Sequence, residues 1–154
     1  MSRLAVLVAT CGYIGHAPIA PGTFGSAAGV VLFYAIRSSQ SQAVEFAAIL
    51  LLFAIGVWSA QVTERSLGVT DPGVVVIDEV VGMLITLALL PLNGLGVGIA
   101  FLVFRVLDVI KPWPASRFEG LHGGLGIVAD DAMAGVYGNL IMRGLLLLAP
   151  AWLV

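Results

Sequence analysis

Six of the nine acidic residues stand in compact groups: Asp71, Asp78–Glu79, Asp108 and Asp130–Asp131. Carboxylates placed side by side repel unless they share a cation. In predominantly apolar segments each ionised group also costs about 2.5–3.5 kcal/mol on insertion scales. Grouped acids in such a setting imply compensating partners or an ion. Arg105, Lys111, Arg117 and His122 lie near them in sequence, so an internal salt-bridge network is one reading and a shared divalent cation the other. Hard oxygen donors with no companion cysteine and one nearby histidine favour Mg²⁺, Mn²⁺ or Ca²⁺ over Zn²⁺, and Mg²⁺ is the default among them. Because Mg²⁺ takes one or two carboxylates and keeps waters or substrate phosphate, some of the acids remain for other work.

Cations and glycines flank these groups. Arg105, Asp108 and Lys111 recur every third residue and fall on one slanting helical stripe, which is either an ion ladder at a helix end or part of a site. Pro112 and Pro114 stop that helix, which brings Lys111 to the following loop as a point charge suited to phosphate. The stretch His122–Gly126, with Gly123 and Gly124 at its centre, runs into Asp130–Asp131. A glycine-rich entry to a helix lets backbone N–H groups approach an anion, although Asp130 could also serve only as an N-cap. The stretch Pro21–Ser26 offers Gly22, Thr23 and Ser26 at the start of another apolar helix, as phosphate-holding groups or as simple caps.

The elements that must position these groups read as helices. Phe46–Thr63 is uncharged and close to the ~20 residues that cross a ~30 Å hydrocarbon core. Val80–Phe104 is divided by Pro91 and Asn93–Gly94 into a helical hairpin. Gly25–Ile36 and Ala132–Val154 complete an all-α, membrane-embedded bundle of about five helices. The irregular stretches Gly12–Gly25, Leu67–Val76 and Lys111–Gly126 should line one cavity, since non-helical backbone at membrane depth needs a protein or wet environment. Composition points the same way: 60% of residues are hydrophobic and 10% charged, against roughly 45–50% and 25% in soluble domains. A soluble helical bundle with an apolar core is the competing reading.

A length of 154 residues suits one domain over residues 1–154. With a net charge of -2 and no cationic run, no nucleic-acid partner is expected. Cys11 cannot form an internal disulfide. It also lacks the arginine of a C-x₅-R phosphocysteine site, because Ala17 stands there. The N-terminus imitates a signal peptide, with Arg3, an apolar Leu4–Thr10 stretch and small residues ending at Ala20. Cleavage before Pro21 would detach residues ahead of a motif, so retention is expected.

Four motifs in order, PGTFGS at 21–26, IDEVVG at 77–82, FRVLDVIKPWP at 104–114 and HGGLGIVADDAMAG at 122–135, resemble the phosphatidylglycerophosphatase A family. The resemblance implies an all-helical, Mg²⁺-dependent phosphatase of the bacterial inner membrane that converts phosphatidylglycerophosphate to phosphatidylglycerol and phosphate. It carries the site to Asp78, Glu79, Arg105, Asp108, Lys111, His122, Asp130 and Asp131. Glu79, Asp130 and Asp131 are expected to hold the metal, and Asp78 and Asp108 to activate water or to stand in an outer shell behind the metal's direct ligands. Arg105, Lys111 and His122 are expected to grip phosphate or assist the leaving oxygen, in a direct displacement by water.

Two other classes remain: a divalent-ion carrier or channel subunit, since buried carboxylates mark ion pathways, and a transferase like the CDP-alcohol phosphotransferases. Cations clustered near the acids place the site on the cytoplasmic side of a multi-pass protein. Association into a homo-oligomer would cover short helices.

Overall fold

The computed structural model describes residues 3–113, 121, 123–148 and 150–154. Among them the chain is all-helical: α1 (Arg3–Ala9), a 3₁₀ turn (Ile14–His16), α2 (Pro21–Arg37), α3 (Gln42–Leu67), α4 (Ile77–Leu87), α5 (Gly94–Ile110), α6 (Gly124–Leu148) and α7 (Pro150–Leu153). The number of α-helices is seven rather than about five among the described residues, α1 and α7 being the short additions.

α4 is the centre. All of its residues except Glu79 and Ile85 are buried, as expected of a helix that is apolar on every side. α2, α3, α5 and α6 all pack against it. Glycines allow the close approaches. A Cβ on Gly29 of α2 would sit 2.9 Å from Cβ of Met83, and one on Gly82 of α4 would sit 2.7 Å from the carbonyl oxygen of Asp131. Gly138 of α6 meets Thr86 in the same way. Small residues at these crossings bring backbones together where larger side chains would hold them apart.

The hairpin break forms where Pro91 and Asn93 predict it. Asn93 caps α5 by accepting the Gly96 N–H at 2.9 Å, and its own N–H donates to the Leu153 carbonyl at 2.7 Å. Asn139 of α6 closes the other side of the turn. Its amide donates to the carbonyls of Ile85, Thr86 and Ala88 at 3.1, 3.1 and 2.9 Å, satisfying groups that the end of α4 leaves open.

α3 is the one helix among the described residues that is long and apolar enough to cross a membrane. Its 26 residues rise roughly 39 Å. Only 22% of its most apolar window is buried within the protein, so most of that window is exposed on the protein's surface.

Helices extend past the uncharged runs read from the sequence: α3 is Gln42–Leu67 instead of Phe46–Thr63, α4 begins at Ile77 instead of Val80, and α5 ends at Ile110 instead of Phe104. Two starts shift furthest in what they carry. α2 begins at Pro21, because proline at the first helical position supplies a preset φ and lacks only an N–H that would be unpaired. α6 begins at Gly124, several residues before the expected apolar segment, and glycine's weak helix propensity is overridden there by packing on α3. Helix ends, rather than irregular loops, therefore carry most of the candidate site residues.

Candidate active site

Three helix ends converge on the interior of a fourth helix. α4 contributes Asp78 and Glu79 in its first turn, and α5 contributes Arg105 and Asp108 near its C-terminus. α6 contributes Asp130 and Asp131 from inside the helix, and α2 contributes its first turn around Gly22. With α6 starting at Gly124, neither aspartate is an N-cap. Nor do Thr23 or Ser26 cap α2: its N-cap is Ala20, without a side-chain hydrogen bond, and the Ser26 hydroxyl donates to the Gly22 carbonyl at 2.9 Å. Thr23 is half-buried in that first turn.

The sharpest feature is a triad of carboxylates. One oxygen from each of Asp78, Glu79 and Asp131 lies within 4.8 Å of the other two. Asp78 Oδ1, Glu79 Oε2 and Asp131 Oδ2 are buried and have no hydrogen-bond partner among the described residues. Leaving such acceptors unpaired is costly, and three together in one place need a shared positive charge. Their chemistry, hard oxygen donors with nothing soft nearby, suits Mg²⁺ or Mn²⁺.

One cation stands against this triad and a second pairs with the neighbouring Asp130. Arg105 Nη1 lies 2.5 Å from Asp108 Oδ2 and 4.0 Å from Glu79 Oε1. The i,i+3 pair on α5 is thus present, but the third member of the stripe turns elsewhere. Lys111 Nζ reaches Asp130 Oδ2 on α6 at 2.5 Å. Lys111 closes α5 in a left-handed conformation, with φ 45°. For a residue with a side chain this is a strained region that the surroundings must enforce. Among the described residues, five carboxylates (Asp78, Glu79, Asp108, Asp130 and Asp131) thus face two cations.

Adjacent in sequence, Asp130 and Asp131 have separate partners. The Asp131 N–H donates to Asp130 Oδ1 at 2.9 Å, while the Asp131 carboxylate joins Asp78 and Glu79. Of the three residues expected to hold a metal, Glu79 and Asp131 converge, and the third member of the geometric set is Asp78. Asp130 also lines a small cavity, about 100 Å³, with Glu64, Asp71 and Gly123. Asp71 belonged to the acidic groups in the sequence but was not assigned a role.

The glycines divide into two kinds. A Cβ on Gly22 would collide with Glu79 Oε1 and lie 3.2 Å from Arg105 Nη1, so the bare backbone of α2 forms one wall of the carboxylate site. Gly123 and Gly124 instead sit on α3. The Gly124 N–H donates to Gln61 Oε1 at 3.2 Å, and a Cβ on Gly123 would collide with the same oxygen. Gln61 had no distinguishing pattern in its apolar run. His122, Arg117 and Pro114 lie outside the described residues.

Cys11 is close enough to feel Glu79. Burial first, then the negative charge of Glu79, pushes its thiol up to about 11, so it is protonated at neutral pH and a poor nucleophile. A larger cavity of about 530 Å³ lies at the opposite ends of α2 and α4. Its charged groups serve the turn after α4: Arg37 Nη1 donates to the Leu90 carbonyl at 2.7 Å and Glu45 accepts the Leu89 N–H at 2.8 Å.

Comparison with known proteins shows the family of the chain. The family model for phosphatidylglycerophosphatase A matches residues 7–146. The chain is 42% identical over 124 residues to phosphatidylglycerophosphatase A of Escherichia coli (strain K12), covering 79% of this chain and 72% of that protein. It is 38% identical over 125 residues to the protein of the same name from Haemophilus influenzae, covering 80% and 77%. A Bacteroides thetaiotaomicron protein, provisionally named a phosphatidylinositol-3-phosphatase, is 35% identical over 148 residues, 92% of each chain. No solved structure matches the chain. The match across nearly the whole length, with the acidic motifs inside it, makes this chain a member of the phosphatidylglycerophosphatase A family of lipid phosphatases.

Proposed function

We propose that the chain is a Mg²⁺-dependent phosphatase that converts phosphatidylglycerophosphate to phosphatidylglycerol and inorganic phosphate. The observation that carries this reading is the convergence of Asp78, Glu79 and Asp131, with three buried oxygens lacking partners among the described residues, beside Arg105, with Lys111 paired to the adjacent Asp130. Family membership supplies the lipid phosphomonoester as substrate.

In this reading Asp78, Glu79 and Asp131 would hold a Mg²⁺ ion, which would supply positive charge to offset the phosphoryl oxygens during displacement by water. Arg105 is positioned by Asp108 and Glu79 to draw a phosphoryl oxygen toward the triad. Lys111, tethered by Asp130, offers a second positive charge for the phosphate or for the leaving glycerol oxygen. Asp108 is the candidate proton acceptor for the attacking water by its position, buried next to the Asp131 carboxylate of the triad. Gly22 keeps the α2 side of the site free of side-chain bulk.

The exposed apolar residues fit a bilayer. Val109 and Leu147 are 74% and 85% exposed, and α3 is long enough to span. We place the protein in the bacterial inner membrane as a multi-pass chain with the acidic site at the cytoplasmic face.

Phosphate release by purified protein tests the reading. Activity on phosphatidylglycerophosphate with Mg²⁺, lost with EDTA, is the expected result; equal activity with chelator would remove the metal. The Bacteroides relative makes phosphatidylinositol 3-phosphate the competing substrate, and faster hydrolysis of that lipid would reassign the headgroup. Divalent-ion uptake into liposomes without hydrolysis, or release of CMP from a CDP-lipid, would favour the carrier or the transferase class.

A further inference from the structure

We propose that the groove between α2 and α5 holds an acyl chain of the lipid whose phosphate lies at the carboxylate site, a proposal that rests on the lipid phosphatase reading above. The groove has a volume of about 410 Å³ and is lined by Ala27, Val30 and Tyr34 of α2 and by Val97, Gly98 and Phe101 of α5. Its walls are apolar apart from the Tyr34 hydroxyl.

What identifies the occupant is where the groove leads. On α2, Ala27, Val30 and Tyr34 form a stripe at helical spacing, and the residue one turn toward the N-terminus on that stripe is Thr23. On α5, Val97, Gly98 and Phe101 form the facing stripe, and one turn beyond Phe101 is Arg105. The two helices meet at the site in the turns these stripes lead to: Gly22, next to Thr23, adjoins Glu79, and a Cβ built on it lies 3.2 Å from Arg105 Nη1. A phosphate drawn to Arg105 thus leaves the remainder of its molecule at the mouth of an apolar channel. Gly94, which lines the far end of the groove, lies eleven residues from Arg105 along α5, roughly 16 Å of helix.

A second apolar groove, about 270 Å³, lies between Phe46, Ile49, Ile85 and Leu140. It borders Asn139 and the C-terminal end of α4, away from the acids, so a lipid whose phosphate is at the triad does not reach it from its headgroup end. Of these two, the α2–α5 groove alone lies on helices whose next turn carries site residues, Thr23 on α2 and Arg105 on α5.

Gly98 supplies a clean probe, since a Cβ there meets nothing within 4 Å. Gly98→Phe fills the groove without a steric clash at the backbone and removes a glycine from a helix. Gly144→Phe is the control, because Gly144 likewise has nothing within 4 Å of a Cβ and lies on α6 outside the groove. The readout is kcat/KM for dipalmitoyl relative to dihexanoyl phosphatidylglycerophosphate in detergent micelles, together with the size of the protein–detergent particle.

Gly98→Phe should lower that ratio by about tenfold, the factor expected when roughly two methylenes lose their contacts, with the change carried by KM. Gly144→Phe should keep the wild-type ratio. An unchanged ratio in Gly98→Phe, or an equal fall in both variants, overturns the groove while leaving the phosphatase intact. A smaller particle for Gly98→Phe with an unchanged ratio assigns the groove to a second copy of the chain and also overturns it. If wild-type protein hydrolyses neither lipid, the phosphatase reading fails and the groove proposal fails with it.

Discussion

Lys111, held in a left-handed conformation just past the end of α5, places its ammonium 2.5 Å from the carboxylate of Asp130 on α6. The Asp130 side chain is 5% exposed and that of Lys111 23%, so removing the cation strands a nearly buried charge. Breaking such pairs costs about 3–5 kcal/mol when both partners are buried, and partial exposure of the lysine reduces this to roughly 1–3 kcal/mol. Lys111→Met should lower thermal stability accordingly and reduce phosphate release about a hundredfold, the scale of one lost charge contact to a phosphoryl group. Adding Asp130→Asn should restore stability and leave activity low, which a double-mutant cycle measures.

Gly22→Ala and Gly124→Ala should separate activity from stability. At Gly22 the added methyl meets the free end of the Glu79 side chain, which can swing aside. The helix should survive while turnover falls at least about tenfold, as expected for a displaced site group. At Gly124 the methyl meets the backbone carbonyl of Val57, which cannot move cheaply. Circular dichroism melts should show a loss of about 1–3 kcal/mol there, typical of overpacking.

The carboxylate triad should bind Mn²⁺ in the absence of any lipid. Electron paramagnetic resonance titration is expected to show Asp131→Asn weakening that binding by about 10–100-fold. Asp130→Asn should weaken it far less, because Asp130 is engaged by Lys111. Equal losses in the two variants would place Asp130 among the ligands.

Asn139→Ala should destabilise the protein by about 1–3 kcal/mol, since the carbonyls of Thr86 and Ala88 lose the amide donor and that of Ile85 keeps only the Ala88 N–H. Asn139→Asp should be at least as damaging, because a carboxylate cannot donate. KM for the lipid should stay near wild type in whatever fraction remains folded, as the residue lies far along α6 from Asp131. Calorimetry with parallel kinetics distinguishes these effects.

Several features were legible in the residues themselves. The acids fall in groups, Pro91 and Asn93–Gly94 divide two helices, Pro112 follows the end of α5, and four ordered motifs resemble the family whose model matches the chain. These are local properties: a proline removes a hydrogen bond wherever it stands, and like charges repel at any sequence position. Which acids meet was decided only in three dimensions. Successive residues on a helix point roughly 100° apart, so neighbouring Asp130 and Asp131 diverge, one to Lys111 and the other to Asp78 and Glu79. The rotation and closeness of α2, α4 and α6 that complete the triad depend on Gly22, Gly29 and Gly82 meeting particular atoms across helix crossings. Gln61 takes its role only because Gly123 and Gly124 dock on it. No spacing within one segment encodes such contacts, because each arises from the shape of a partner distant in sequence.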